Sequence, residues 1–314
     1  MSKISKVKSY YKRGGGENLI KKYIKNHVLF YALRVFLLLP KNRVGLEQFR
    51  EVVREKIYLK WKQRFAGMIA NFECKNESSE KPKIIWFCWF QGLENAPEVV
   101  KKAYESIKKH NSEYEIKVIT ENNISQYVDI PDYIYDKKRN GIITAAHFSD
   151  ILRICLLEKY GGTWIDSTCI LTSHIPQDIE NSKIFMFKNY KPASDALTSN
   201  IASWFISSTK GNSVVNIAKE VLFAYWKKYN FLCDYYFIFY VFEMIYDIKP
   251  ELFMDMPKYP IETAHFTVFS LADNFTEEKF KAYCSQTFIH KLSYRLNADE
   301  AKNVNKLYAI LEKE

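Results

Sequence analysis

The stretch from residue 144 to residue 172 constrains the fold most strongly, because a helix, a glycine pair and a strand follow one another without interruption. The run 151–157 is almost entirely apolar, which is typical of a helix packed into a core. Gly161 and Gly162 end this helix, since glycine readily adopts the left-handed backbone of a C-terminal cap. A short buried strand at 163–165 then delivers Asp166 to its carboxyl end, the edge at which open α/β sheets bind ligands.

Two polar residues interrupt the apolar helix. Asp150 and Arg153 are three positions apart, so they share a face of the helix and can both point toward one ligand. The alternative is structural, with an ordinary ion pair in the helix and Asp166 in a turn. The three residues together favour a ligand site, because each polar group buried without a partner costs about 1–3 kcal/mol.

Two motifs resemble those of the capsular polysaccharide synthesis proteins and of the wider group of glycosyltransferases with a DXD sugar-binding region. The first motif covers residues 149–166 and contains SDILR and YGGTWID. The second covers residues 81–92, KPKIIWFCWFQG, and is similar to the first strand of that family. Weaker similarity continues through 203–206, 234–236 and 288–291.

This resemblance implies an α/β fold of the GT-A type, with a Rossmann-like, mainly parallel sheet. It also implies an enzyme, a hexosyltransferase that moves a sugar from a nucleoside diphosphate sugar to a hydroxyl of a glycan. By position in the motifs, Trp89 would stack on the donor base, and Asp150 and Arg153 would hold ribose, sugar or diphosphate. Asp166 would be the first DXD carboxylate and a catalytic residue. An indole face suits a flat base, and a guanidinium suits phosphate oxygens.

Donor binding also requires charge stabilisation, because the departing diphosphate gains negative charge that a divalent cation or basic groups must balance. Gln91 and Lys291 are further candidates for contact with the donor. The chain departs from the family pattern at Thr168, where a second carboxylate is expected, and Mg²⁺ and Mn²⁺ favour carboxylate oxygens. We nevertheless expect a divalent cation, Mn²⁺ or Mg²⁺, bound by Asp166 and His290. A structural role is the alternative for His290.

Asp234 is a second candidate for a catalytic role, because it stands before a long apolar helix where a carboxylate could act on the acceptor hydroxyl. The alternative is helix capping, which aspartate performs well. An inverting enzyme needs such a general base and a retaining one does not, so both stereochemical outcomes stay open.

The domain organisation follows from a polar segment at 75–82 that is closed by a proline. It separates a helical N-terminal extension, 1–75, from a catalytic domain, 82–314. In the catalytic domain, strands alternate with helices, which indicates a mainly parallel sheet. The predicted strands are 83–89, 115–120, 184–187 and 202–207, and the predicted helices are 97–109, 213–229, 234–247 and one from 298. The segment between 120 and 141 is expected to be irregular.

The N-terminal extension carries much of the formal net charge of +10. Nucleic acid is excluded as a partner because no recognition motif accompanies the charge. An anionic membrane surface fits better, since basic residues precede an apolar run at 28–39 that only Arg34 interrupts. That run is too short to span a bilayer. An interfacial helix and a helix packed on the catalytic domain are both open, whereas the apolar stripe at 46–70 indicates core.

The expected protein is therefore a bacterial-type glycosyltransferase of the cytoplasm, peripheral on the inner face of the cell membrane. Its six cysteines form no CxxC pair, which is typical of a reducing compartment. The expected acceptor is an oligosaccharide or lipid-linked glycan of a capsular or related surface polysaccharide. Two alternatives are a nucleotidyltransferase of related fold and a catalytically silent scaffold of a polysaccharide-synthesis complex, the latter because Thr168 replaces a carboxylate.

Overall fold

The chain combines a helical N-terminal region with an α/β region. The computed structural model describes residues 16–73, 77–189, 201–272 and 275–313. The N-terminal helices are α1 (Gly16–Lys25), α2 (Leu29–Leu38) and α3 (Arg43–Ala70). The later helices are α4 (Glu98–His110), α5 (Ile124–Tyr127), α6 (Asp132–Arg139), α7 (Ala145–Tyr160), α8 (Gln177–Asn181), α9 (Ser213–Lys228), α10 (Phe237–Ile248), α11 (Phe266–Leu271), α12 (Glu277–Cys284) and α13 (Ala298–Leu311).

A five-stranded sheet in the order β2-β1-β3-β6-β5 forms the centre of the α/β region. Its strands are β1 (Ile84–Cys88), β2 (Glu115–Ile119), β3 (Gly162–Ile165), β5 (Ile184–Lys188) and β6 (Ile201–Ser208). β1 runs parallel to β2 and β3, whereas β6 is antiparallel to β3 and β5. Four strands therefore share one direction and β6 alone is reversed. A separate antiparallel pair consists of β4 (Cys169–Leu171) and β7 (Ile289–Lys291).

The predicted mainly parallel α/β sheet with a helical N-terminal region is confirmed. Strand and helix ends mostly lie within a residue or two of the predicted positions, although α10 begins at Phe237 rather than 234. The segment between 120 and 141 is not irregular, since α5 and α6 lie in it. The division into an extension, 1–75, and a catalytic domain, 82–314, stays a prediction, and residues 1–15 and 74–76 lie outside the described residues.

Helix α3 joins the N-terminal region to the core. It begins after Asn42, whose side chain accepts a hydrogen bond from the backbone N–H of Gly45 at 2.9 Å. The predicted apolar stripe is buried through most of its length, at Val53, Ile57, Trp61 and Phe65. Ile69, four residues after Phe65, continues the buried stripe with the same spacing. Met68, which the sequence pattern also placed in the stripe, is 38% exposed. The stripe packs against α9 and α10.

Within the part of the chain that the structure describes, no helix is both long enough and apolar enough to cross a membrane. The apolar run at 28–39 is folded as α2, a helix of ten residues. At a rise of about 1.5 Å per residue it is far shorter than a bilayer core.

The glycine pair after α7 allows β3 to lie directly beside β1. Both glycines have positive φ, 74° for Gly161 and 92° for Gly162. A Cβ on Gly162 would lie 2.7 Å from the carbonyl oxygen of Ile84 in β1, closer than such atoms approach. The indole of Trp86 fixes the turn further by donating a hydrogen bond to the carbonyl of Gly161 at 2.9 Å. The position of Asp166 at the end of β3 therefore depends on a turn that excludes side chains.

Replacing Gly162 with Ala is expected to lower the free energy of unfolding by about 2–4 kcal/mol, because it adds left-handed backbone strain and a clash with β1. Urea denaturation measures this loss. Gly67→Ala is the matched control, since a Cβ there meets nothing within 4 Å in the middle of α3. That control should be stabilising by about 0.5–1 kcal/mol. Equal stability changes in the two variants would contradict the proposed role of the turn.

Candidate functional site

A cavity of about 900 Å³ lies at the carboxyl ends of β1 and β3. Ligand sites of this size are usual in enzymes. Because β6 is reversed, its first residues reach the same edge of the sheet and complete the wall. The lining comes from the segment after β1, the first half of α7, the residues after β3, the start of β6, the segment before α10, and β7. This is the edge at which the sequence places Asp166.

Arg153 is the centre of the cavity's charged groups. It is only 5% exposed, and its Nη2 lies 3.1 Å from Oδ1 of Asp150 and 3.2 Å from Oδ1 of Asp166. Its Nη1 donates to the backbone carbonyl of Ser203 and to the Ser203 hydroxyl, the latter at 3.1 Å. The guanidinium carbon also lies 4.9 Å from the ring centroid of Trp164. One side chain of α7 thereby holds the ends of β3 and β6 together.

Asp166 accepts contacts on both carboxylate oxygens. The Trp164 indole donates to Oδ1 at 2.9 Å, and the Lys291 ammonium lies 3.3 Å from Oδ2. Burial by itself raises the pKa of Asp166, but the charges of Arg153 and Lys291 outweigh burial and lower that pKa below its ordinary value. The side chain is 25% exposed, so an ionised carboxylate faces the cavity at neutral pH.

Lys291 connects β7 to the residue that departs from the DXD pattern. β7 pairs with β4 so that Lys291 lies opposite Cys169, and the Lys291 ammonium donates to the Thr168 hydroxyl at 2.5 Å. Burial by itself lowers the pKa of Lys291, but Asp166 outweighs it and raises that pKa. A hydroxyl at position 168 is therefore the partner of a permanently charged lysine.

Asp150 is held by a histidine that the sequence analysis did not identify. The Trp226 indole donates to Nε2 of His147 at 2.9 Å, so the ring carries its proton on Nδ1. That nitrogen lies 3.3 Å from Oδ2 of Asp150. The spacing of His147 and Asp150, three residues apart in α7, is the signal that could have revealed the pair.

Indole rings form part of the cavity wall. Trp89 lines the cavity and packs edge-to-face on Tyr294, with ring centroids 5.9 Å apart. Gln91 lines it as well. Trp204, which the sequence analysis noted only as part of a weak similarity, stacks on Phe187 beside the same space. The indole N–H groups of Trp89 and Trp204 are buried and have no hydrogen-bond partner among the described residues. A ligand can supply the missing acceptors.

Asp234 is not in the cavity lining. It is 2% exposed, forms an ion pair with Lys22 of α1, and accepts a hydrogen bond from the backbone N–H of Tyr236 at 3.0 Å. Tyr235 and Tyr236 line the cavity in its place. Asp234 therefore lies outside the cavity lining, and its side chain closes the turn before α10 rather than capping that helix, whose N-cap is Tyr236.

His290 is also outside the cavity lining, although its neighbour Lys291 is in it. It is fully buried and lies 2.8 Å from the Thr267 hydroxyl and 3.2 Å from the Thr172 hydroxyl. Burial lowers the pKa of His290 to about 4, so the ring is neutral at neutral pH. The structure does not bring His290 and Asp166 together as ligands of one ion.

One group of three or more potential metal ligands occurs in the described ranges. It consists of Glu113, His174 and Glu180 and lies outside the cavity lining. His174 pairs with Glu113, and the Lys83 ammonium lies 3.7 Å from Glu180, so this group already has its own counter-charge.

Charged side chains from α7, the end of β3 and β7 thus share one cavity with the indole rings of Trp89 and Trp204. The chain belongs to the capsular polysaccharide synthesis protein family, whose pattern it matches over residues 41–311. That match begins between α2 and α3 and includes all the elements around the cavity.

Individual relatives share shorter segments. The chain is 28% identical over 111 residues to the O-glycosyltransferase braB of Annulohypoxylon truncatum, covering 32% of this chain and 26% of that one. It is 26% identical over 96 residues to the glycosyltransferase afumC of Aspergillus fumigatus, covering 28% and 25%. The chain thus spans about a quarter of the length of these relatives. Among solved structures, the PaToxG glycosyltransferase has a TM-score of 0.39 and 16% identity, covering 84% of this chain and 96% of that chain.

The burial of His290 predicts a stability change with pH. Between its ordinary pKa of 6.5 and about pH 4, His290 is protonated in the unfolded chain but neutral in the folded chain. The free energy of unfolding should therefore fall as pH drops through this window, by up to about 1.4 kcal/mol per pH unit from this residue. Urea denaturation between pH 7 and pH 5 measures the slope.

His290→Gln should reduce that slope, and His27→Asn, which changes an exposed histidine of the N-terminal region, should leave it unchanged. A slope that is identical in the wild-type protein and both variants would contradict a neutral, buried His290.

Proposed function

We propose that this protein is a glycosyltransferase that moves a sugar from a nucleoside diphosphate sugar to a hydroxyl group of a glycan. The observation that carries the proposal is Asp166, an ionised carboxylate held between Arg153 and Lys291 on the edge of a cavity walled by indole rings. Membership of the capsular polysaccharide synthesis protein family supports the same reaction class. We assign a GT-A type site on this basis.

Two basic residues are proposed to receive the donor diphosphate. In the transfer, the acceptor oxygen forms a bond to the anomeric carbon while the bond to the diphosphate oxygen breaks. The diphosphate leaves with the electron pair, and the proton of the acceptor hydroxyl is released to solvent. Lys291 contributes an ammonium and Arg153 a buried guanidinium, each within ion-pair distance of Asp166. Both can stabilise negative charge where it develops.

Aromatic, amide and carboxylate side chains are proposed to hold the base and the sugar. Trp89 offers a flat face to the base, and Gln91 follows it on the same segment. The N–H groups of Trp89 and Trp204 are buried donors without an acceptor among the described residues, and sugar hydroxyls or phosphate oxygens can satisfy them. Asp150 and Asp166 can accept hydrogen bonds from hydroxyl groups of ribose or sugar.

The divalent cation expected from the sequence remains a proposal, and the residues around Asp166 offer few ligand atoms to hold it. Both oxygens of Asp166 have cationic or N–H partners, Thr168 accepts from Lys291, and His290 lies outside the cavity lining. Among the described residues, no group of three potential ligands includes Asp166. The residues present therefore do not form a metal site by themselves, and no step of the proposed reaction is assigned to a metal.

The biological setting is proposed from the family and the cysteines. Four of the described cysteines, Cys88, Cys155, Cys169 and Cys233, are buried and form no disulfide, which suits a reducing cytoplasm. Nucleotide sugars and an oligosaccharide or lipid-linked glycan of a surface polysaccharide would then be the substrates, as in a bacterial capsule pathway.

Asp166→Asn is expected to reduce transfer or hydrolysis of the nucleotide sugar by roughly a hundredfold or more, because the neutral amide no longer balances Lys291 and Arg153. A panel of nucleotide sugars with release of nucleoside diphosphate as the readout measures the effect. Asp136→Asn is the control, since it removes an equal charge from the exposed surface of α6. Full activity of a folded Asp166→Asn variant would refute the site, and inactivity of the wild-type protein on every donor would favour the scaffold.

Lys291→Met tests which positive charge faces the leaving diphosphate. If protein cations perform this role, the variant loses activity while the wild-type protein keeps full activity in the presence of a chelator. Loss of wild-type activity in chelator, with recovery on adding Mn²⁺ or Mg²⁺, would instead support the divalent cation expected from the sequence. Release of nucleoside diphosphate is again the measurement.

A further inference from the structure

Helix α2 exposes apolar side chains to an extent that is unusual for a helix on a folded protein. Phe30 is 87% exposed, Leu37 79% and Leu38 76%, and Leu33 is half exposed. Ile20 and Ile24, one helical turn apart in α1, are also half exposed. These six residues, Ile20, Ile24, Phe30, Leu33, Leu37 and Leu38, are called the apolar face below. Exposed apolar side chains in this number on two consecutive helices are typical of an interaction surface.

The opposite side of the same helices is packed, so the orientation of the apolar face is fixed. Tyr23, Val28 and Ala32 are buried, and Phe49 of α3 makes edge-to-face ring contacts with both Tyr23 and Phe36. The Lys22 ion pair to Asp234 adds a polar anchor. The apolar face therefore points outward, because the inner side of the two helices already packs against the rest of the protein.

The charge of the N-terminal segment of the sequence indicates which partner suits the apolar face. Residues 1–46 contain eleven Lys and Arg and a single acidic residue, Glu17, a net of +10. This equals the formal net charge of the entire chain, so the remaining residues are balanced. Within this segment Lys21, Lys25 and Arg34 are exposed on the two helices themselves. Apolar side chains flanked by basic residues match a bilayer with anionic headgroups. A second copy would bring the same positive charge to the contact and be repelled.

We propose that the apolar face docks on the surface of an anionic lipid bilayer, with its leucine, isoleucine and phenylalanine side chains in the interfacial layer and the basic residues on lipid phosphates.

The docked surface is connected to the cavity through α1 and α3. Arg54 of α3 lines the cavity, and Phe49, which supports α2, precedes it by about 7.5 Å along the helix. Lys22 of α1 holds Asp234, and the next two residues, Tyr235 and Tyr236, line the cavity. Docking thereby places this part of the cavity wall near the membrane. That an acceptor with a lipid anchor enters there rests on the proposed function, whereas docking itself does not.

Flotation of the full-length protein tests the proposal, with vesicles of phosphatidylcholine alone and of phosphatidylcholine mixed with phosphatidylglycerol. The protein should float with the anionic vesicles and be released by high salt. Phe30→Ser/Leu37→Ser should weaken this binding at least about tenfold. Met254→Ser/Phe269→Ser, which changes two side chains of similar exposure elsewhere, should not. Lys21→Gln/Arg34→Gln should weaken it roughly fivefold for each charge removed.

Equal vesicle binding by Phe30→Ser/Leu37→Ser and Met254→Ser/Phe269→Ser would overturn the proposal, as would equal binding of the wild-type protein to neutral and anionic vesicles. A wild-type protein that binds no vesicles but forms a dimer, which Phe30→Ser/Leu37→Ser dissociates, would also overturn it. Failure of the proposed transferase activity is a separate result. Asp166→Asn should float like the wild-type protein, and Phe30→Ser/Leu37→Ser should hydrolyse a soluble nucleotide sugar at the wild-type rate.

Discussion

The Arg153 guanidinium is buried among two carboxylates and a backbone carbonyl that come from three different elements. Helix α7 supplies Asp150, the end of β3 supplies Asp166 and β6 supplies Ser203. Removing one member of a buried ion pair typically costs about 3–5 kcal/mol, because the other charge is left without a partner. Together with Lys291 the group contains two positive and two negative charges, so it is balanced before any ligand arrives. An anionic ligand would therefore have to compete with Asp166 for positive charge, and Lys291, with 20% of its side chain exposed against 6% for Arg153, is the more accessible of the two cations.

Much of the fold could be predicted because the apolar periodicity of the central helices and strands is strong. The direction of β6 could not, since a buried strand reads as a continuous apolar run whether its neighbours are parallel or antiparallel. Strands β4 and β7 have three residues each, too few for any period to appear in the sequence. These two features nevertheless shape the cavity, because β6 brings Ser203 and Trp204 to it and β7 brings Lys291.

The site also contains residues that could be predicted from local sequence and residues that could not. Asp150, Arg153 and Asp166 lie within one local motif, and the structure brings them together as their spacing indicates. Asp234 and His290 have equally suitable chemistry, but burial places both outside the cavity lining, and burial depends on packing with distant segments. The partner of Thr168 is likewise 123 residues away in the chain, which no local pattern can reveal.

The contribution of β7 has a consequence for the order in which the site forms. During synthesis, the helix, the glycine turn and Asp166 emerge long before Lys291, and until then Thr168 and one carboxylate oxygen of Asp166 lack their cationic partner. Domains fold as their segments leave the ribosome, and long-range pairings close last. A nascent chain must therefore be made through residue 291 before the charge group is complete, so competence for an anionic ligand arises only late in biogenesis.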